Sequence, residues 1–425
     1  MTTSSLAIKP INHPLHASVR IPGSKSLTNR ALLIASLANG KTCLTNALFS
    51  DDSRYFAGAM QTLGFNIQLD EPNSEIIING LGGKIPVRKA ELFIGNAGTA
   101  ARFLSAFLTL AFGEYTIDGE PRMRERPIND LVSALSQLGA KIETTNNCPP
   151  VKISASGLPG GKVKISGEIS SQFVSALLMV APYAQSPVEI EVTDLNSKPF
   201  VDMTLSTMLD FGVEIQRNAY HSFRIPNKKY KSIITYAIES DATAASYFFA
   251  APALCGGTVK IENISRDSKQ GDIAFIDILQ QMGCEVSEDD NCISVSGTAE
   301  LRGIDIDMRD IPDTAQTLSA LAPFASSVTN IRGIASARVK ETDRVHATCF
   351  ELARLGVQVE EHHDGLTIHP CKKFIPATIR TYNDHRMAMA FSLIGLRVPG
   401  VAIENPECVS KTFPDFFEVM DTLSG

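Results

Sequence analysis

The chain has 425 residues, 44% of them hydrophobic and 20% charged, a balance that fits a soluble globular protein of two or three domains. A net charge of -7 argues against a general nucleic-acid or membrane-surface binder, so any anion site must be a local concentration of cations. The eight cysteines form no C-x-x-C pair, which fits idle thiols in a reducing compartment rather than a disulfide framework or zinc site.

No apolar run approaches about 18 residues, so no transmembrane helix is predicted. Met1 to Pro10 has neither the charged stretch nor the apolar core of a secretory signal, and a cytosolic protein is the expectation.

Taken in order, one unit recurs six times. A polar or small cluster opens an apolar helix, a Gly or Ser turn follows, and a strand comes next. The copies are Ser26 to Asn46, Thr99 to Gly119, Ser170 to Val192, Asp241 to Asn263, Asp313 to Gly333 and His385 to Asn405. Their turns are placed at Gly40, Gly113, Ser186, Gly256, Ser326 and Gly400, which lie 73, 73, 70, 70 and 74 residues apart. Between copies, a helix stops at Gly64, Gly139, Gly212, Gly283 or Gly356 and hands over to alternating residues that read as a hairpin. Gly just past a helix tolerates the left-handed conformation that ends it.

A period near 72 residues is too long for a solenoid repeat and suits a small βαβαββ unit. A sixth such handover begins in Phe416 to Leu423, where the chain ends, so the N-terminal strand, Leu6 to Ile21, is expected to complete that unit. Six units divide into two domains of three: residues 23–239, and residues 1–22 together with 240–425.

The helix starts carry the chemistry. The most telling is Gly95-Asn96-Ala97-Gly98-Thr99-Ala100-Ala101-Arg102, a small-residue turn running into an apolar helix. Gly98 admits a close ligand, and helix N-termini attract anions. If three starts in each domain face one side, six dipole ends surround one cleft. Lys25, Arg30, Arg102, Arg126, Arg338, Lys340, Arg344, Arg386 and Lys411 lie at or near these starts, and Glu120 to Pro127 holds three arginines. Singly, each is a solvated charge; together they suit a small polyanion.

Two acids stand among them. Asp313 opens the fifth helix, either as an N-cap or as a general base on a substrate hydroxyl. Glu341 is either half of an ion-pair network or an acid/base group beside Lys340. His385 either caps a helix or contacts an anion. Ala35 to Thr42 nearly matches a phosphate-binding loop but lacks its first Gly and lies in a helix, and Glu360 to Gly365 reads as a polar hairpin tip.

On these residues the chain resembles the 5-enolpyruvylshikimate-3-phosphate synthase family. The likeness rests on Pro22-Gly23-Ser24-Lys25-Ser26, the Gly95-to-Arg102 turn, Glu120 to Pro127, Ser170-Ser171-Gln172, Ser197-Lys198-Pro199, Val339 to Arg344, Asn383 to Arg386 and Lys411-Thr412-Phe413-Pro414. It implies an α/β fold of two similar domains, each of three βαβαββ units in an inside-out α/β barrel, joined by a double-crossover hinge that closes on ligand. It also implies that shikimate 3-phosphate and phosphoenolpyruvate are joined with release of phosphate, without cofactor or metal. A cytoplasmic monomer with no nucleic-acid or membrane partner is the corresponding expectation.

The resemblance assigns residues 23–239 to shikimate 3-phosphate binding and puts Asp313, Glu341, Arg386 and Lys411 in the second domain. It implies that Lys25, Ser26, Arg30, Ser170, Ser171, Gln172, Ser197, Asp313 and Lys340 hold shikimate 3-phosphate, and it counts Ser336 among the substrate-binding positions. Lys25, Gly98, Arg126, Gln172, Arg344, Arg386 and Lys411 would hold phosphoenolpyruvate, with Asn96, Thr99 and Arg102 shaping its pocket and His385 nearby. Asp313 is the expected base and Glu341, with Lys340, the expected proton donor; Lys25 is counted with them as catalytic.

Four residues depart from the family pattern: Phe103 for a usual Pro, Ala101 for a common Met, Phe200 for Tyr, and Ser336 for Asn. Phe200 removes one hydroxyl contact. Phe103 extends the helix behind Gly98, so altered, not absent, sensitivity to glyphosate, the family's inhibitor, is predicted. An unchanged inhibition constant in Phe103→Pro would count against that. The sister transferase acting on UDP-N-acetylglucosamine carries a Cys in the loop matching Glu120 to Pro127, where this chain has none. A non-catalytic anion-binding relative is the other alternative; both acids among the cations argue against it.

Overall fold

The computed structural model describes residues 4–424; Met1 to Thr3 and Gly425, the ends of the domain read from the sequence, lie outside them. The chain forms two compact units, one spanning Gly23–Glu239 and the other the residues up to Pro22 with those from Ser240 on. At the crossovers each unit ties its own ends. Ser24 N–H donates to the Glu239 carbonyl at 2.8 Å, and Asp241 N–H donates to the Pro22 carbonyl at 2.9 Å.

The Gly23–Glu239 unit has three four-stranded sheets. In each, a parallel edge strand pairs with a central strand, and the central strand pairs with an antiparallel hairpin. Lys89–Phe93 runs parallel to Phe112–Asp118, which is antiparallel to Cys148–Ser156. The helices Lys25–Leu37, Gly98–Leu108 and Ser171–Val180 are buried over nearly their whole length. Helices apolar on all sides belong in a core, so the helices pack inside and the sheets lie outside. The partly exposed helices Asp51–Thr62, Asn129–Gln137 and Lys198–Asp210 complete the three units.

The other unit repeats the plan. Ala242–Cys255, Ala315–Leu321 and His385–Gly395 are buried throughout. Phe275–Gln281, Arg344–Arg354 and Phe416–Asp421 keep exposed positions. Among its described residues, two sheets have four strands and one has three. Among the described residues no helix is long and apolar enough to cross a membrane.

The N-terminal segment corrects its sequence reading, because it is two strands serving two sheets of the same compact unit. Ser5–Ala7 pairs antiparallel with Ala402–Glu404 and completes the sixth sheet, while Leu15–Val19 runs parallel to Gly257–Ile261 in the fourth. The Gly23–Glu239 unit closes the same way, with Thr235–Ala237 running parallel to Asn39–Thr45. In each unit's opening sheet the parallel edge strand thus comes just ahead of a crossover, Leu15–Val19 before Pro22 and Thr235–Ala237 before Glu239.

The five helix-ending glycines have φ between 82° and 108°, as a left-handed stop requires. Gly40 and Gly113, read as turns, instead lie within strands. A Cβ on Gly113 would come 1.9 Å from the Arg88 carbonyl oxygen, so close approach of the edge strand selects glycine there. Ala35 to Thr42 likewise straddles the end of a helix and the start of a strand, not a helix alone.

Candidate active site

In the Gly23–Glu239 unit, three helix starts gather the predicted residues. Ser24 caps Lys25–Leu37 by accepting from Leu27 N–H at 3.4 Å. Lys25, the first helical residue, lies 3.4 Å from the Asp52 carboxylate at the start of the next helix. Arg30, one turn in, is 1% exposed. Its Nε donates to Thr204 Oγ1 at 2.7 Å, Nη1 to the Ser26 carbonyl at 3.0 Å, and Nη2 to Ser175 Oγ and the Phe200 carbonyl at 3.4 and 3.2 Å. Among the described residues no carboxylate pairs with it, and burial pushes its pKa down to about 9. A buried cation held only by neutral oxygens favours a nearby anion. Phe103, fully buried, lies beneath it at 5.4 Å.

The Gly95-to-Arg102 turn is shaped by two guanidinium groups. Arg126 Nη1 donates to both the carbonyl and Oδ1 of Asn96 at 3.0 Å, and Arg102 donates to the Gly98 and Pro127 carbonyls, each at 3.0 Å. A Cβ on Gly98 would stand 2.5 Å from Arg126 Nη2 and 2.7 Å from Arg102 Nη1. Ala97, at the cap position of helix Gly98–Leu108, offers its first amides no side-chain acceptor. Gln172 Nε2 donates to Thr99 Oγ1 at 3.3 Å, joining this start to that of Ser171–Val180, where Ser170 accepts from Gln172 N–H at 3.2 Å. Ser171 is buried. Ser197, buried before helix Lys198–Asp210, has φ 55° and ψ 49°, a strained conformation for serine that costs about 1–3 kcal/mol and is typical of ligand sites.

The arginine loop divides. Only Arg126 is buried. Arg122 pairs with Glu125 at 2.9 Å and Arg124 with Asp118 at 2.6 Å, both solvated.

In the other unit the predicted groups form a buried ionic network. Asp313 Oδ1 accepts from Lys340 Nζ at 2.6 Å and Arg344 Nη1 at 3.2 Å, and Oδ2 accepts from Arg386 Nη2 at 2.8 Å. Arg344 also donates from Nη2 to Glu341 at 2.7 Å and reaches Asp384 through Nε and Nη2 at 2.8 and 3.2 Å. Burial alone would raise the Asp313 carboxyl, but Arg386, Lys340 and Arg344 hold it well below the usual carboxylate range. Burial lowers the Lys340 ammonium against the pull of Asp313. Arg344 and Arg386 stay firmly charged, since their carboxylates outweigh burial.

Three readings are corrected here. Asp313 is no N-cap: it lies in the 3-10 turn Pro312–Thr314 ahead of Ala315–Leu321, with its carboxylate committed to cations. The cap at His385 is Asp384, which accepts from Arg386 N–H at 2.9 Å, leaving His385 buried as the first helical residue. Arg338 belongs elsewhere, bonded to Asp343 and Glu361 at 2.8 Å and to the His362 and His363 carbonyls. Lys411 ends the buried face of the 3-10 turn Pro406–Lys411, and Ser336 sits half-buried in Ala335–Val339.

Sequence reasoning did not single out Asp384, Asp52 or Tyr247, whose hydroxyl lies 3.5 Å from Arg386 Nη1. For Asp384 a signal existed, because an Asp immediately before a helix is a cap that can also face a cation. Among the described residues no group of three or more His, Cys, Asp or Glu could hold a metal ion.

Comparison with known proteins gives the family. The family profile EPSP synthase (3-phosphoshikimate 1-carboxyvinyltransferase) matches residues 10–420. Proteins named 3-phosphoshikimate 1-carboxyvinyltransferase are 49% identical in Sulfurovum sp., covering 99% of this chain and all of that one, and 48% identical in Nostoc punctiforme, covering 97% of each. A chloroplastic form from Solanum lycopersicum is 48% identical, covering 99% of this chain and 84% of its own length. The structure of EPSP synthase from Acinetobacter baumannii superposes with a TM-score of 0.83 at 26% identity, covering 99% of this chain and 98% of that one. The chain therefore belongs to the EPSP synthase family.

Proposed function

We propose that the chain transfers the enolpyruvyl group of phosphoenolpyruvate to the 5-hydroxyl of shikimate 3-phosphate and releases phosphate, a step toward aromatic amino acids. The observation that carries this reading is the Asp313 carboxylate held by Lys340, Arg344 and Arg386 at 2.6–3.2 Å, with Glu341 on the same arginine. Acid/base groups and phosphate-binding cations are thereby built into one network.

The reaction needs both. The substrate hydroxyl gives up its proton as its oxygen bonds to the enol carbon, while the methylene carbon gains a proton. The resulting tetrahedral intermediate then loses a proton from the new methyl group and expels phosphate. Asp313 is assigned as base, and Glu341 with Lys340 as the proton donor to the methylene. At rest Asp313 is a weak base, because burial is outweighed by three cations. An anionic substrate that draws those cations to itself frees the carboxylate and raises its basicity, so binding activates the base. Arg344, Arg386 and Lys411 are assigned to the phosphoenolpyruvate anion, where they stabilise charge on the departing phosphate.

The Gly23–Glu239 unit supplies Lys25, Ser26, Arg30, Ser170, Ser171, Gln172 and Ser197 for shikimate 3-phosphate, with Asn96, Gly98, Thr99, Arg102 and Arg126 shaping the anion turn. We place the reaction in the cytoplasm, on a monomer of 45.9 kDa.

The decisive test mixes the protein and phosphoenolpyruvate with either shikimate 3-phosphate or UDP-N-acetylglucosamine. Phosphate release with the first acceptor alone is expected, and release only with the sugar nucleotide would overturn the assignment. Gly98→Ala puts a methyl against Arg126 Nη2 and Arg102 Nη1. It should raise KM for phosphoenolpyruvate about 10-fold or more while kcat falls less, the pattern of lost ground-state binding. Steady-state kinetics with an unchanged KM would show that the turn does not meet that anion.

A further inference from the structure

Asp272, another buried acid of the unit that holds Asp313, has no part in the chemistry above. Asp272, in the 3-10 turn Gly271–Ala274, is 4% exposed. Its Oδ2 accepts from Thr243 Oγ1 in the first turn of the buried helix Ala242–Cys255. Its Oδ1 has no hydrogen-bond partner, and among the described residues no cation pairs with it. A carboxylate so placed is costly, whereas a neutral carboxylic acid is tolerated.

The groups facing Asp272 define what its charge would do. Asp241 and Thr243 come from the start of Ala242–Cys255, Asp313 from the turn before Ala315–Leu321, and Arg386 from His385–Gly395. Asp277 on the adjoining helix, and Glu288 on the strand beside it, are engaged by Arg266. The segment is also fixed to the crossover. Gln270 accepts from Ala242 N–H at 3.1 Å and donates to the Ser240 carbonyl at 2.6 Å. Arg386, meanwhile, has a buried Nε with no partner. Its guanidinium is therefore held by Asp313, near Tyr247, and feels Asp272 only through the field.

We infer that Asp272 is a positioning residue for the anion site, a neutral acid pinned to Thr243 that keeps the positive field of Arg386 available to the anionic substrate. This rests on the assignment of Arg386 to phosphoenolpyruvate. Burial, then the charge of Asp313, pushes the Asp272 carboxyl up to about 7. Below that pH it is neutral and Arg386 acts at full strength. Above it the new carboxylate competes with the substrate anion for the same field.

The test is KM for phosphoenolpyruvate in the wild type and Asp272→Asn, an isostere that is neutral at every pH. From about pH 6 to about pH 8, the wild-type KM should rise relative to the variant's by about threefold to tenfold. Parallel profiles would overturn the inference, whereas a wild type that releases no phosphate at all would instead overturn the reaction assignment. A readout independent of activity is thermal unfolding. The folded acid holds its proton to higher pH than the unfolded one, so the wild type should lose stability relative to Asp272→Asn as pH rises from about 4 to about 7. If the variant does not fold, infrared spectra of the wild type decide. A protonated-carboxyl band present near pH 6 and lost near pH 8 supports the inference, and its absence near pH 6 overturns it.

Discussion

Asp313→Ala should lower kcat for phosphate release from phosphoenolpyruvate and shikimate 3-phosphate by about 10²–10⁴-fold, the range for loss of a general base. Both oxygens of this carboxylate are engaged, Oδ1 by Lys340 and Arg344 and Oδ2 by Arg386. If Asp313 takes the hydroxyl proton, the variant should bind phosphoenolpyruvate at least as well as the wild type, since three cations lose a competing anion. A fall in kcat with steady or lower KM separates a base from a scaffold, which would raise KM as the cations drift. A variant within about tenfold of wild-type kcat would remove Asp313 from the proton transfer.

The pH dependence of stability gives a second reading of the same group. The Asp313 carboxyl is held below its ordinary value, burial notwithstanding, by Arg386, Lys340 and Arg344. Its contribution is therefore fully present above the unfolded value near 3.9 and is lost as pH falls through the lower folded value. The Asp313→Asn variant should show a shallower loss of stability below about pH 4 than the wild type, measured as the urea midpoint against pH.

The fold was legible because its grammar repeats. Gly64, Gly139, Gly212, Gly283 and Gly356 each stop a helix with positive φ, and a glycine so constrained shows in the letters. The Gly95-to-Arg102 turn carries a glycine signal of another kind: a Cβ at position 98 would press on the guanidinium groups of Arg102 and Arg126. The fate of each charge was not legible. Arg122, Arg124 and Arg126 stand two residues apart in the sequence, yet Asp118 and Glu125 engage the first two and Asn96 turns the third inward. Spacing along a loop does not record which side chain faces the core.

Strand exchange at the N-terminus was hidden for a different reason. Leu15–Val19 alternates as any half-buried strand does, and its partner Gly257–Ile261 lies far along the chain. Period-two patterning fixes a strand's faces, not its neighbour. Asp272 and Thr243 were equally silent, because a buried acid on a short turn looks like a surface residue until the structure covers it.

Arg344→Met should destabilise the protein by about 3–5 kcal/mol, the cost of removing one partner from a buried ion-pair network. Arg344 is 1% exposed and bonds Asp313, Glu341 and Asp384 at once. Methionine fills much of the volume, so the loss would come from three carboxylates deprived of a shared cation rather than from a cavity. Arg344→Lys should recover little, since one ammonium cannot reproduce a guanidinium fork that spans three acids. Adding Asp384→Asn to Arg344→Met should return about 1–2 kcal/mol, because it removes one of the charges left uncompensated. Urea unfolding of the wild type, both single variants and the double variant reads this coupling directly. A strictly additive double variant would mean that Asp384 serves only as the cap of His385–Gly395, with its carboxylate contributing through Arg386 N–H and not through the network.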